Sequence, residues 1–102
     1  MAIVAVSIAP LGTGSTGVSQ YVAEAEKVLA RHPSLQVRLD PMFSNIEGDL
    51  LEILTAIQEM HEALVKMGVK RLSTVIKIDD RRDESHSMAE KIAAVEEKLP
   101  LG

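Results

Sequence analysis

At 102 residues and 46% hydrophobic content, the chain has room for one modest core, and with Tyr21 and Phe43 its only aromatics that core is aliphatic. A net charge of -4 lacks the basic footprint that nucleic acid demands, and the absence of cysteine removes disulfide and thiolate chemistry. The N-terminus lacks the basic start and apolar stretch of a signal peptide, and no run is long enough to span a membrane. The expectation is a cytoplasmic protein, a single domain over residues 1–102, contacting neither nucleic acid nor membrane.

Val4, Val6 and Ile8 alternate with Ala5, Ser7 and Ala9, which predicts a strand over Ala2 to Ala9. A glycine-rich loop follows. Val18, Tyr21, Val22, Ala25, Val28 and Leu29 recur at helical spacing, with Ser15 or Thr16 as N-cap and Pro33 beyond the end. Leu35, Val37 and Leu39 alternate with Gln36, Arg38 and Asp40 as a second strand, and Phe43 to Gly48 reads as a short third one. Asp49 caps a long helix with Leu50, Leu51, Leu54, Ile57, His61, Leu64 and Val65 on one side, stopped by Gly68. Ile53, Met60 and Met67 widen that stripe. Leu72, Thr74, Ile76 and Ile78 mark a further strand, and Ser87 with Glu90 forms a capping box for a last helix with Met88, Ile92, Val95 and Leu99 inward.

The order β-α-β-β-α-β plus a C-terminal helix predicts an α+β, ferredoxin-like sandwich. Were residues 42–48 only a loop, the order would be half of a doubly wound fold. That alternative matters because Gly12, Gly14 and Gly17 form a G-x-G-x-x-G, with Asp40 where a ribose-binding acid is expected. Pro10 and Leu11 intervene before the motif, however, and helical periodicity starts only after Gly17. A flexible connection, or a loop whose N–H groups hold an anion, fits better than a dinucleotide cradle.

In the ferredoxin-like arrangement, alternation assigns Val4, Val6, Ile8, Ile46, Ile76 and Ile78 to the helix-covered face. Ala5, Ser7, Ala9, Asn45, Glu47, Ser73, Val75, Lys77 and Asp79 then occupy the opposite one. Ala5, Ala9 and Val75 are poor surface choices, which predicts that a ligand or a partner subunit covers that face. His61 reads as a satisfied core histidine, while His32 and His86 lie near helix ends. The run Asp79 to Glu84 reads as a solvated, mutually paired loop, with Arg81 as the residue that reaches an anion or a subunit boundary. No nucleophile has an identifiable base, no paired carboxylates have an assigned geometry, and no second His or Cys stands at metal-ligand spacing.

Five segments occur in register: Ser7-Ile8-Ala9-Pro10-Leu11-Gly12-Thr13-Gly14, Val18-Ser19-Gln20-Tyr21-Val22, Ser44-Asn45-Ile46-Glu47-Gly48, Ile57 to Glu62, and Ile76 to Asp83. Together they resemble the small thiamine-binding protein family over essentially the whole chain. The resemblance implies a ferredoxin-like monomer that assembles into dimers or tetramers and binds thiamine or its hydroxymethylpyrimidine part without catalysis, cofactor or metal. Where the family often carries threonine, Ser44-Asn45 stands here. Glu47 would accept from the exocyclic amine and offset the cationic ring, with Ser7, Ser44 and Asn45 completing the hydrogen bonds and Phe43 against the rings. Lys77, Asp79 and Arg81 complete the candidate ligand-binding set. The rival readings are a self-assembly module without a ligand and a nucleotide-dependent enzyme using the glycine loop.

Overall fold

The computed structural model describes residues 1–14, 16–83 and 87–99, so three residues named above, Ser15, Glu84 and His86, lie outside the described residues. Strand β1 (Ala2–Leu11) is followed by α1 (Ser19–Leu29), β2 (Gln36–Leu39), β3 (Ser44–Gly48), α2 (Leu50–Lys66), β4 (Arg71–Asp80) and α3 (Met88–Glu96). The sheet has the order β2-β3-β1-β4 and every pairing is antiparallel. With α1 and α2 packed on one face, this is the ferredoxin-like fold; the doubly wound alternative, which needs parallel strands, is excluded.

The register fixes the faces. Val4 pairs with Ile46 on one side and Ile78 on the other, and Ala5 with Asn45 and Lys77, so the two predicted faces separate as alternation required. The core lies between the central strands and the helix pair, where Val4, Val28, Ile46, Ile53 and Leu64 are fully buried. The helix cover is narrower than expected. Ile76 and Ile78 lie on the helix side of β4 yet remain 41% and 45% exposed, and Val37 and Leu39 of β2 are exposed too. Both belong to edge strands, whereas α2 packs over β1 and β3.

Three local expectations need correction. Among the described residues no Ser or Thr side chain caps α1: Val18 is the N-cap, and its carbonyl accepts from the N–H groups of Tyr21 and Val22 at 3.0 Å. The buried stripe of α2 is Ile53, Ala56, Ile57, Met60 and Leu64, which leaves Leu51, Leu54 and Val65 outside. Ile57 and Leu64 of the predicted row are buried as expected, whereas His61 flanks the core and meets Thr74 Oγ1 across Nε2 at 2.7 Å. Finally, α3 buries no residue, and Ile92, Val95 and Leu99 are not inward. It lies over the face opposite α1 and α2, anchored to Glu47 and Asp79. Its capping residue is as expected, with Ser87 Oγ accepting from Glu90 N–H at 3.1 Å. Among the described residues no helix is long and apolar enough to cross a membrane.

Candidate functional site

The seven candidate residues divide between the two faces of the sheet. On the open face, Asn45, Lys77 and Asp79 line a groove of about 570 Å³ beneath α3, together with Ala5, Arg38 and Ile92. Its carboxylates are engaged within the protein. Asp40 accepts from Asn45 Nδ2 at 2.8 Å and from Arg38 Nε at 3.3 Å. Asp79 pairs with Lys91 of α3, and the hydrogen bond and charge of that ammonium hold its carboxyl below the ordinary range. Glu47 Oε2 accepts the Met88 N–H at 2.6 Å, so the carboxylate assigned to a ligand amine receives the first amide of a helix instead. Arg81 pairs with Asp83 at 3.2 Å beside a smaller cavity of about 240 Å³. The open face thus uses its carboxylates mainly to mount α3.

Ser44 is elsewhere. It pairs with Val6 across the ladder and so projects to the helix side, while its neighbour Asn45 projects to the open side. Ser44 and Asn45 therefore face different sites. The β1–β3 pairing ends at Val6↔Ser44, but β1 continues to Leu11 paired only with β4. Beyond that point Ser7 and Ile8 border a gap, which α1 and the turn closed by Asp40 N–H to Phe43 C=O at 3.0 Å enclose as a cleft of about 920 Å³.

This cleft has the composition of a small-molecule site. Its walls carry both aromatic residues of the chain, Tyr21 and Phe43, with Val22, Met42 and Met60. At its base Ser44, only 7% exposed, donates its hydroxyl to Glu26 Oε1. Glu26 is partly buried, and among the described residues no cation pairs with it. A carboxylate in apolar surroundings without a counter-charge favours a cationic or amine-bearing occupant. Tyr21 and Glu26 escaped the sequence reading. A signal was present for Glu26: Val22, Ala25, Glu26 and Leu29 follow i, i+3, i+4, i+7 spacing, which sets one acid inside an apolar stripe.

The other histidine and glycine features have structural accounts. His32 sits between Glu59 (Nε2 to Oε1, 2.7 Å) and Glu52 (Nδ1 to Oε1, 3.3 Å) and ties the α1–β2 connection to α2. Hydrogen bonding to Glu59, reinforced by Glu52 and both negative charges, raises its pKa above the ordinary value against the opposing effect of burial. Among the described residues no group of three His, Asp or Glu side chains is arranged to hold a metal ion. The glycine motif lacks the parallel strand-helix context of a dinucleotide cradle, since α1 begins only at Ser19.

Comparison with known proteins places the chain in company. The family described as "Thiamine-binding protein" matches residues 4–96. A UPF0045 protein of Staphylococcus xylosus is 42% identical over 100% of this chain and 98% of its own length. The UPF0045 protein YqgV of Bacillus subtilis is 40% identical over 97% and 98%. Among solved structures, a hypothetical protein of Methanocaldococcus jannaschii superposes with a TM-score of 0.85 at 38% identity, covering 94% of this chain and 96% of that one. A Thermotoga maritima protein described as a candidate for thiamine biosynthesis or salvage shares the fold at a TM-score of 0.76 and 16% identity, covering 92% and 97%.

Proposed function

Because the chain belongs to the thiamine-binding protein family, we propose that it binds thiamine or the hydroxymethylpyrimidine half of thiamine in the cleft between α1 and the end of β3. The observation that carries this reading is Glu26, a partly buried carboxylate without a cation partner among the described residues, beside Tyr21 and Phe43.

Thiamine joins a thiazolium cation to an aminopyrimidine. The negative charge of Glu26 complements the first, and its Oε2, which Ser44 does not occupy, is suited to accept from the exocyclic amine of the second. Such a charge-assisted bond contributes about 1.5–3 kcal/mol. Tyr21 and Phe43 supply flat apolar surface, and their π faces attract a cation. At about 920 Å³ the cleft falls within the range of roughly 300–1,000 Å³ typical of small-ligand sites. We read the binding as non-catalytic, in a cytoplasmic carrier, buffer or sensor that works without cofactor or metal.

The protein on this reading self-associates to a dimer or tetramer. The ten-residue edge strand β4 has one unpaired side and exposes Val75, Ile76 and Ile78, features that favour association. Those same residues favour a second reading, a self-assembly module without a ligand.

Titration calorimetry with thiamine and hydroxymethylpyrimidine tests both. Saturable heat is expected, with Glu26→Gln weakening thiamine by about tenfold for the lost charge-assisted bond. No heat at millimolar ligand with folded protein would sink the binding reading. Sedimentation showing only monomer would remove the assembly.

A further inference from the structure

The glycine loop lies beside a second cavity that the cleft does not absorb. The register pairs Leu11 with Arg71, so the chain that leaves β1 at Gly12 passes the Gly68–Arg71 entry into β4. Gly12 and Thr13 on one side and Lys70 and Arg71 on the other line a cavity of about 620 Å³. Among the described residues no carboxylate lines it. Among the described residues neither Lys70 nor Arg71 has an ion pair or a side-chain hydrogen bond. In a chain of net charge -4, with fifteen acidic residues, two neighbouring cations without an acid stand out. Gly12 and Gly14 hold φ of +73° and +75°, and a Cβ at either would meet nothing within 4 Å, which leaves their backbone open to close approach.

Tyr21 lines both this basic cavity and the α1 cleft, so the two adjoin at this residue. We propose that the basic cavity receives the phosphate of a phosphorylated ligand whose heteroaromatic cation occupies the cleft; this rests on the binding reading above. Thiamine carries a hydroxyethyl arm and its pyrimidine half a hydroxymethyl arm, and either alcohol can be esterified. The ligand class is therefore a mono- or diphosphate ester, held by charge from Lys70 and by the planar donor fork of Arg71. Glu26 and the Lys70–Arg71 pair then divide one ligand by charge, the carboxylate facing its cationic ring and the two cations its anionic end.

The test is calorimetry on the wild type and a Lys70→Gln/Arg71→Gln double variant, with thermal unfolding checking that both are folded. The probes are thiamine, thiamine monophosphate, thiamine diphosphate, hydroxymethylpyrimidine phosphate and inorganic pyrophosphate, each at low and high salt. The diphosphate is expected to bind about tenfold or more tightly than thiamine, a gap that narrows with salt. The double variant is expected to erase that gap while leaving thiamine itself unchanged. Thiamine binding with phosphate esters no tighter, or a gap that survives in the double variant, overturns the proposal and leaves the earlier reading intact. Pyrophosphate binding lost in the double variant, without any thiamine binding, overturns the earlier reading and keeps the basic cavity as an anion site. Binding of none of the probes overturns both.

Discussion

Glu47 of β3 accepts the Met88 N–H of α3 at 2.6 Å, so a strand residue from mid-chain caps the last helix. Together with the Asp79–Lys91 pair, it holds to the sheet a helix that buries none of its own residues. Polar anchoring has replaced apolar packing at this contact.

Replacing Glu47 by Ala is therefore expected to loosen α3 and little else. Loss of a charge-assisted bond of about 1.5 kcal/mol should speed amide exchange along α3 by about tenfold. Exchange at the core strands β1 and β3 should stay at wild-type rates. Hydrogen-exchange mass spectrometry checks both regions in one experiment, and uniform acceleration would show that Glu47 supports the whole sheet.

His32 gives the fold a dependence on pH. Its pKa in the folded protein lies above the ordinary 6.5 because Glu59 and Glu52 favour the imidazolium. The stability this provides is fully present below the unfolded pKa and is lost as pH rises through the folded one. Thermal unfolding at about pH 5.5 and pH 8.5 should show a difference in wild type that His32→Gln reduces. An unchanged difference in the variant would assign the pH dependence to other groups.

Gly48 ends β3 with φ +154°, and a Cβ there would stand 2.6 Å from Leu35 Cδ2, a core side chain. Gly48→Ala is expected to cost about 1–3 kcal/mol through overpacking and backbone strain together. Urea unfolding measures it. Adding Leu35→Val should recover part of the loss by shortening the colliding branch, and full additivity of the two changes would contradict the contact.

The elements were legible because each one is marked locally. Asp49 and Ser87 announce helices that begin where they stand, and the alternation of Val4, Val6 and Ile8 orients β1. The alternation rule, applied strictly, would also have separated Ser44 from Asn45. What local pattern does not carry is the width of the helix cover, so Ile76 and Ile78 read as core although they stay 41% and 45% exposed on an edge strand. The side on which α3 docks was equally hidden, because that docking depends on Glu47 and Asp79, distant in sequence from it. Glu26 was overlooked for a different reason. It looks like a surface charge until Tyr21, Phe43 and Ser44 are brought around it.

The placement of β1 bears on how the chain reaches its native state. This strand is synthesised before the other three, yet it lies at the centre of the sheet, pairing with β3 and, along its full length, with β4. Val4 meets Ile78 only after β2, β3 and both packed helices have been made. A nascent chain consequently carries one side of this apolar strand unpaired until β4 is made, while α1 and α2 form as local elements. Closure of β1 against β4 is then a late, long-range step of the kind that sets folding rates.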